Sequence, residues 1–155
     1  MSTVYLGTSE FAATVLRRLA REQRHRPALV VTPPDSRRGR GRKLTPPPAA
    51  MAAQDLGLEL LQTGDVNEEA ARERIAAARP RAVLVCAFGQ LIREPLLSDH
   101  LMLNVHPSLL PRWRGAAPIE RAIMAADERT GVCVMRLVAA LDAGPVALRA
   151  EVGIG

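Results

Sequence analysis

A fully apolar run, Ala82-Val83-Leu84-Val85-Cys86-Ala87, constrains this chain more than any other stretch. A strand that lacks a polar alternate residue must be buried on both faces, the situation of a parallel sheet held between helices. Thr3-Val4-Tyr5-Leu6 and Ala28–Thr32 read as two further short strands. Between these runs the apolar period lengthens. After Gly7-Thr8, with Ser9 placed as an N-cap, Phe11, Val15, Leu16 and Leu19 recur at helical spacing. Helices are also expected over Ala49–Leu56, Asn67–Ala78, Gln90–Leu97 and Ala117–Ala126, and a short strand over Leu58–Leu61. Thr130–Val138 and Val146–Val152 read as two last strands. The expected fold class is therefore α/β: a Rossmann-like, mostly parallel twisted sheet with helices on both faces.

With 155 residues, 48% of them hydrophobic, the chain has material for one core and is read as one domain. The formal charge of +5 favours an anionic partner such as nucleic acid, phosphate or polyglutamate. Aromatic residues make up only 3%, which leaves little for stacking on single-stranded nucleic acid. Cys86 and Cys133 lie inside apolar runs and read as small buried hydrophobes rather than as a disulfide or metal ligands. No His/Cys cluster has metal spacing, so no metal is expected. No apolar run reaches membrane-spanning length and no charged segment precedes a signal core, so a cytoplasmic protein that avoids membranes is expected. A dinucleotide-binding turn is rejected, because Ser9 and Ala12 occupy the later glycine positions after Gly7.

The chemistry concentrates in Asn104-Val105-His106-Pro107-Ser108-Leu109-Leu110-Pro111. Leu101 to Leu103 and Val105 form another apolar strand, so Asn104 and His106, two apart, share one face. The strand ends in a turn bracketed by Pro107 and Pro111, at the edge where α/β sheets place ligands. Leu110-Pro111 is a candidate cis peptide in that turn. Further on, Leu141-Asp142-Ala143-Gly144 reads as a turn begun by Asp142, with Gly144 supplying positive φ. Each polar residue alone has an ordinary structural reading. Together they suit acyl-type transfer: Asn104 donates to a developing oxyanion, His106 stabilises or moves a proton, and Asp142 tunes the imidazole. A second feature is the run Arg37-Arg38-Gly39-Arg40-Gly41-Arg42-Lys43, five positive charges in seven residues, within a proline-rich segment. It reads either as a solvated loop or as an arm that wraps a phosphate backbone. Its place after the second strand favours the arm.

Asn104-x-His106-x-Ser108-Leu109-Leu110-Pro111 and Leu141-Asp142-x-Gly144 resemble the formyltetrahydrofolate-dependent formyltransferase family. Leu6-Gly7-Thr8-Ser9-Glu10-Phe11-Ala12, Arg112-Trp113-Arg114-Gly115-Ala116-Ala117-Pro118-Ile119 and the Gly39–Leu44 basic insertion are similar to the members that formylate methionyl initiator tRNA. The resemblance covers essentially the whole chain and departs at Phe88, where tyrosine is frequent, and at Pro107, where glycine is also seen. It implies a formyltransferase fold, and a formyl group moving from 10-formyltetrahydrofolate to the α-amine of methionyl initiator tRNA through a tetrahedral intermediate. Asn104, His106 and Asp142 would be catalytic. Phe88, Gly89, Gln90, Leu91, Ile92, Ser108, Leu109, Leu110 and Pro111 would bind the folate. Arg37, Arg38, Arg40, Arg42 and Lys43 would bind the tRNA. A monomer is expected. The chain ends at Gly155 just after a strand, so residues 1–155 are expected to be an N-terminal catalytic domain, incomplete at its C-terminal end and without a C-terminal tRNA-binding domain. Two other readings stand beside it: a sister formyltransferase acting on a small amine (glycinamide ribonucleotide or an amino sugar), and a non-catalytic RNA-binding α/β module. The basic run and the Trp113 block separate the first from tRNA formylation; the Asn104/His106/Asp142 set argues against the second.

Overall fold

The apolar runs become strands in the structure, a computed structural model that describes residues 2–38 and 43–155. The chain forms two compact units, Met1–Leu101 and Met102–Gly155. In the first, β1 (Thr3–Gly7) leads into α1 (Glu10–Ala20) and then β2 (Leu29–Thr32). The elements β3 (Ser36–Arg38), β4 (Lys43–Thr45), α2 (Pro48–Asp55) and β5 (Leu60–Gln62) follow. The unit continues with α3 (Glu69–Ala77), β6 (Ala82–Cys86) and α4 (Leu96–Asp99). Its main sheet has the order β5-β2-β1-β6, parallel throughout. Val4, Tyr5 and Leu6 alternate between the two faces of β1 and all three are fully buried, so both faces are covered. This is the Rossmann-like α/β arrangement that the apolar strands require.

Local chemistry accounts for the helix ends. The Ser9 hydroxyl accepts the Ala12 amide at 3.3 Å and caps α1. The face of α1 that is buried is made of Ala12, Ala13, Leu16 and Ala20, small residues that let the helix lie close to the sheet. The Tyr5 hydroxyl, wholly inside, donates to the Ala12 carbonyl at 2.7 Å, which answers its one buried donor. Burial pushes the Cys86 thiol up to about 11, and Cys86 and Cys133 are both free and buried, the small-hydrophobe role expected of them. The helix expected over Gln90–Leu97 does not form; the chain stays irregular until α4 begins at Leu96. Pro95 explains this, because it excludes helical backbone at Glu94 and removes an amide donor.

The second unit holds β7 (Met102–His106), α5 (Pro118–Met124), β8 (Arg129–Arg136) and β9 (Val146–Gly153). Here β7, β8 and β9 pair antiparallel. The β8–β9 connection is too short to carry a crossover helix, which makes the antiparallel return the only route. Leu110, Cys133 and Met135 form its buried centre, with Val146 packed against them, and the Leu110-Pro111 peptide is cis.

Two features hold the loops of this unit. Gly144 does not have the positive φ expected of it; Asp142 does, at 44°. The glycine is needed for a different reason, since a Cβ there would stand 1.9 Å from the Arg136 carbonyl oxygen. The second feature is a clamp on residues 112–114. The Arg112 guanidinium donates to both Asp127 oxygens at 2.8 and 2.7 Å, and the Trp113 indole N–H donates to Oδ2 at 2.7 Å. Two guanidiniums also lie over the indole ring, Arg112 4.2 Å and Arg121 4.8 Å from its centroid. Arg112 first, and then the indole, hold the Asp127 carboxyl down at about 2.

Two predictions follow from these loops. Gly144→Ala should destabilise the protein by about 1–3 kcal/mol through overpacking against backbone, whereas Gly64→Ala, where nothing lies within 4 Å, should be near neutral; thermal unfolding compares them. The Asp127 contribution to stability is complete above the ordinary carboxyl value of 3.8 and is lost as pH falls through about 2. Asp127→Asn should therefore flatten the acid loss of stability across that window, as read by urea unfolding at a series of pH values.

Candidate functional site

Strand β7 carries both candidate donors. Asn104 lies opposite Met135 and His106 opposite Cys133 in the β8 ladder, so the two side chains leave the same face. Asp142 reaches them from the turn between β8 and β9. Its Oδ1 accepts from the Asn104 amide at 3.4 Å, and its Oδ2 lies 3.5 Å from His106 Nδ1. The same Oδ2 accepts the Gly115 backbone N–H at 2.8 Å. The His106 and Asp142 side chains are 6% and 9% exposed, so the pair works in a medium of low effective dielectric. Left-handed backbone at Asp142 is a conformation that aspartate tolerates better than most residues, and it delivers the carboxylate to the two β7 side chains.

On its other side the imidazole is held by the backbone. His106 Nε2 lies 2.9 Å from the Trp113 carbonyl oxygen; a carbonyl can only accept, so Nε2 bears the hydrogen. Nδ1 then faces the Asp142 carboxylate, and both ring nitrogens point at oxygen acceptors. The segment that supplies the carbonyl is unusual. Trp113, Gly115 and Ala117 have φ of 61°, 83° and 52°, three left-handed residues within five positions. Glycine adopts that conformation freely; Trp113 and Ala117 do so at a cost of about 1–3 kcal/mol each and need outside support. The Asp127 clamp provides that support at Trp113.

The structure thus unites Asn104, His106 and Asp142 within the second unit. The other candidate folate residues divide by location. Ser108 is fully buried and donates to the Arg112 carbonyl at 2.6 Å, and Leu110 is buried in the core, while Leu109 is half-buried and Pro111 exposed. The Phe88–Ile92 stretch belongs to the first unit. Phe88 is buried and its carbonyl accepts the Thr8 hydroxyl. Gly89 has φ of 81°. Gln90 accepts the Val66 amide at 2.8 Å and donates to the Thr63 carbonyl at 2.9 Å, which ties the loop to residues 63–67. Asn67 adds two ties, from its amide to the Leu91 carbonyl at 2.9 Å and from the Arg93 amide to its Oδ1 at 2.8 Å. Leu91 is the exposed apolar side chain of this loop. Of the basic run, Arg37 pairs with Leu44, and the Arg38 backbone with Lys43, in the β3–β4 ladder; Arg40 and Arg42 lie outside the described residues. Arg37 and Lys43 are exposed.

Three contributors were not visible in the sequence: the Trp113 carbonyl, the Gly115 amide and Asp127. The first two are backbone groups and carry no residue-type signal. Trp113 and Gly115 enter the sequence reading only as members of the block at 112–119, and Asp127 does not enter it. Among the described residues no group of three or more His, Cys, Asp or Glu could hold a metal, and no helix is long and apolar enough to cross a membrane.

The methionyl-tRNA formyltransferase of Methylobacillus flagellatus is 46% identical across 99% of the chain, and that of Thermotoga neapolitana 42% identical. The chain spans about half the length of the curated relatives it matches, 50% in both cases. Among solved structures, a glycinamide ribonucleotide transformylase 1 from Symbiobacterium toebii matches 98% of the chain and 72% of its own, at TM-score 0.76 and 25% identity. A phosphoribosylglycinamide formyltransferase from Bacillus halodurans shares the fold at TM-score 0.79 and 17% identity, over all of this chain and 81% of its own. A family model described as formyl transferase matches residues 1–155 from end to end, and the chain belongs to that family.

Proposed function

We propose that this chain is the formyl-transfer portion of a cytoplasmic enzyme that moves a formyl group from 10-formyltetrahydrofolate to the α-amine of methionyl initiator tRNA. The observation that carries this reading is the meeting of Asn104 and His106 on one carboxylate, Asp142. This donor set fits a formyl carbonyl: an amide N–H and an imidazole N–H leave one strand face side by side, next to a fixed negative charge. The folate donor supplies the formyl carbon and the leaving nitrogen.

The chain's own residues do the rest. One Asn104 amide hydrogen is directed to Asp142, and the other is left for the formyl oxygen. As the amine attacks, that oxygen gains charge. Asn104 and the His106 Nε2–H, shared with the Trp113 carbonyl, hold it. Asp142 keeps the imidazole oriented, balances positive charge on it and, with a water, receives the amine proton. The intermediate then collapses, the bond between the formyl carbon and the folate nitrogen breaks, and that nitrogen takes up the proton. The Phe88–Ile92 loop and Ser108–Pro111 are assigned to the folate. Arg37, Arg38, Arg40, Arg42 and Lys43 are assigned to the tRNA phosphates.

The acceptor is argued from the relatives. Those at 40–46% identity are named methionyl-tRNA formyltransferases, and they support tRNA. A second reading, a small amine such as glycinamide ribonucleotide, has support from the names of the structural neighbours, the one from Symbiobacterium toebii standing at 25% identity.

The experiment is formyl transfer from 10-formyltetrahydrofolate to methionyl initiator tRNA with glycinamide ribonucleotide as competitor, for this chain and for its gene's full open reading frame. Product on tRNA is expected. Product only on the small amine would move the assignment to the second reading, and none on either would end the enzyme reading. Asn104→Ala, His106→Ala and Asp142→Asn should each lower kcat by roughly a hundredfold or more, and a loss under tenfold would remove that residue from the chemistry. Arg40→Ala with Arg42→Ala should raise KM for tRNA and reduce its salt dependence without weakening folate binding.

A further inference from the structure

The clamp on residues 112–114 and the reacting pair are physically continuous. Asp127 accepts the Trp113 indole N–H at 2.7 Å, and the carbonyl of that same Trp113 engages His106 Nε2 at 2.9 Å. Two residues on, the Gly115 amide donates to Asp142 at 2.8 Å. One short segment therefore touches both members of the His106–Asp142 pair from its backbone, and it has left-handed φ at Trp113, Gly115 and Ala117. Left-handed backbone at a bulky side chain relaxes when nothing holds it. What holds it is a double anchor. Asp127 binds the indole edge and the Arg112 guanidinium, and the Arg112 and Arg121 guanidiniums lie over the ring, 4.2 and 4.8 Å from its centroid. Arg121 further donates to the Arg114 carbonyl at 2.8 Å. The Asp127 side chain is 16% exposed and that of Arg112 56%.

We infer that Asp127 is a positioning residue for His106: it fixes the Trp113 indole so that the Trp113 carbonyl, which accepts from Nε2, sets the orientation of the imidazole ring against Asp142. A carboxylate is required at this place because it must accept from the guanidinium and the indole together, and an aliphatic side chain would leave two donors unanswered. The inference rests on the proposed formyl transfer for its catalytic consequence, but its geometric half can be tested without substrate.

The test uses the full 155-residue chain, in which Trp113 is the single tryptophan and His106 one of three histidines, so both rings give assignable NMR signals. In Asp127→Ala the Trp113 indole N–H should lose its hydrogen-bonded shift, and the His106 ring signals should move while those of His25 and His100 stay. Asp127→Asn keeps one acceptor oxygen and should restore part of the wild-type His106 spectrum; it also keeps the question open if the alanine variant does not fold. In the transfer assay, Asp127→Ala should lower kcat roughly tenfold to a hundredfold, as expected when a reacting group is displaced by an ångström or less, with KM for both substrates within twofold. Trp113→Phe, which removes the indole donor, should lower kcat similarly, and the double variant should be no worse than either single one. His106 signals that stay fixed in a folded Asp127 variant would overturn the inference whatever the activity. Additive losses in the double variant, or a loss carried by KM, would overturn it as well. If the wild-type protein transfers no formyl group to any acceptor, the proposed function fails, and the His106 signals still decide the positioning role.

Discussion

The second unit is organised around the Asp142 carboxylate, because so much of it converges there. A carboxylate that is 9% exposed must have its oxygens answered, and the three groups that answer come from two pieces of chain: the Asn104 amide and the His106 ring on β7, and the Gly115 amide from the loop that follows. Each satisfies the charge and is positioned by doing so. If Asp142 is neutralised, the imidazole loses an electrostatic partner and the Gly115 loop loses the tie that secures one of its left-handed residues. The turn that carries Asp142 is compact because Gly144 lets it lie against the Arg136 carbonyl, where any side chain would collide. Packing at the end of β8 and charge balance at the site are in this sense the same constraint.

Under the proposed reaction that arrangement is preorganisation. Donors already aimed at the place where charge develops need no reorientation as it appears, and few water molecules compete with them in a buried setting. The strain in the Trp113–Ala117 segment belongs to the same design. Backbone carbonyl and amide groups can be brought onto two side chains of one pair only by a chain that bends sharply, and a sharp bend between bulky residues requires an anchor elsewhere. The Arg112–Asp127–Trp113 network is that anchor.

In the first unit, the polar ties of the Phe88–Ile92 loop show a comparable division of labour. Gln90 and Asn67 use their side chains to hold the loop, which leaves the exposed Leu91 as the apolar surface available to a ligand. A loop held through side-chain amides keeps its backbone shape without a helix. The helix expected over Gln90–Leu97 gives way to Pro95, and α4 begins only at Leu96.

Much of the fold and the core of the site were legible in the residues alone. Continuous apolar runs at β1, β2 and β6 dictate burial on both faces, and Ser9 announces its helix, because these depend on local hydrophobicity and local hydrogen bonding. Asn104 and His106 share a face because strand side chains alternate with period two, and this needs no knowledge of the rest of the chain. Their convergence on Asp142 is a matter of tertiary structure, since the turn between β8 and β9 meets β7 only through antiparallel pairing. The same is true of Asp127, of the Trp113 carbonyl and the Gly115 amide, and of the true reason for Gly144. Sequence reports residue types and their local periodicities; contacts made by backbone groups, and close approaches between distant segments, exist only once the chain has folded back on itself.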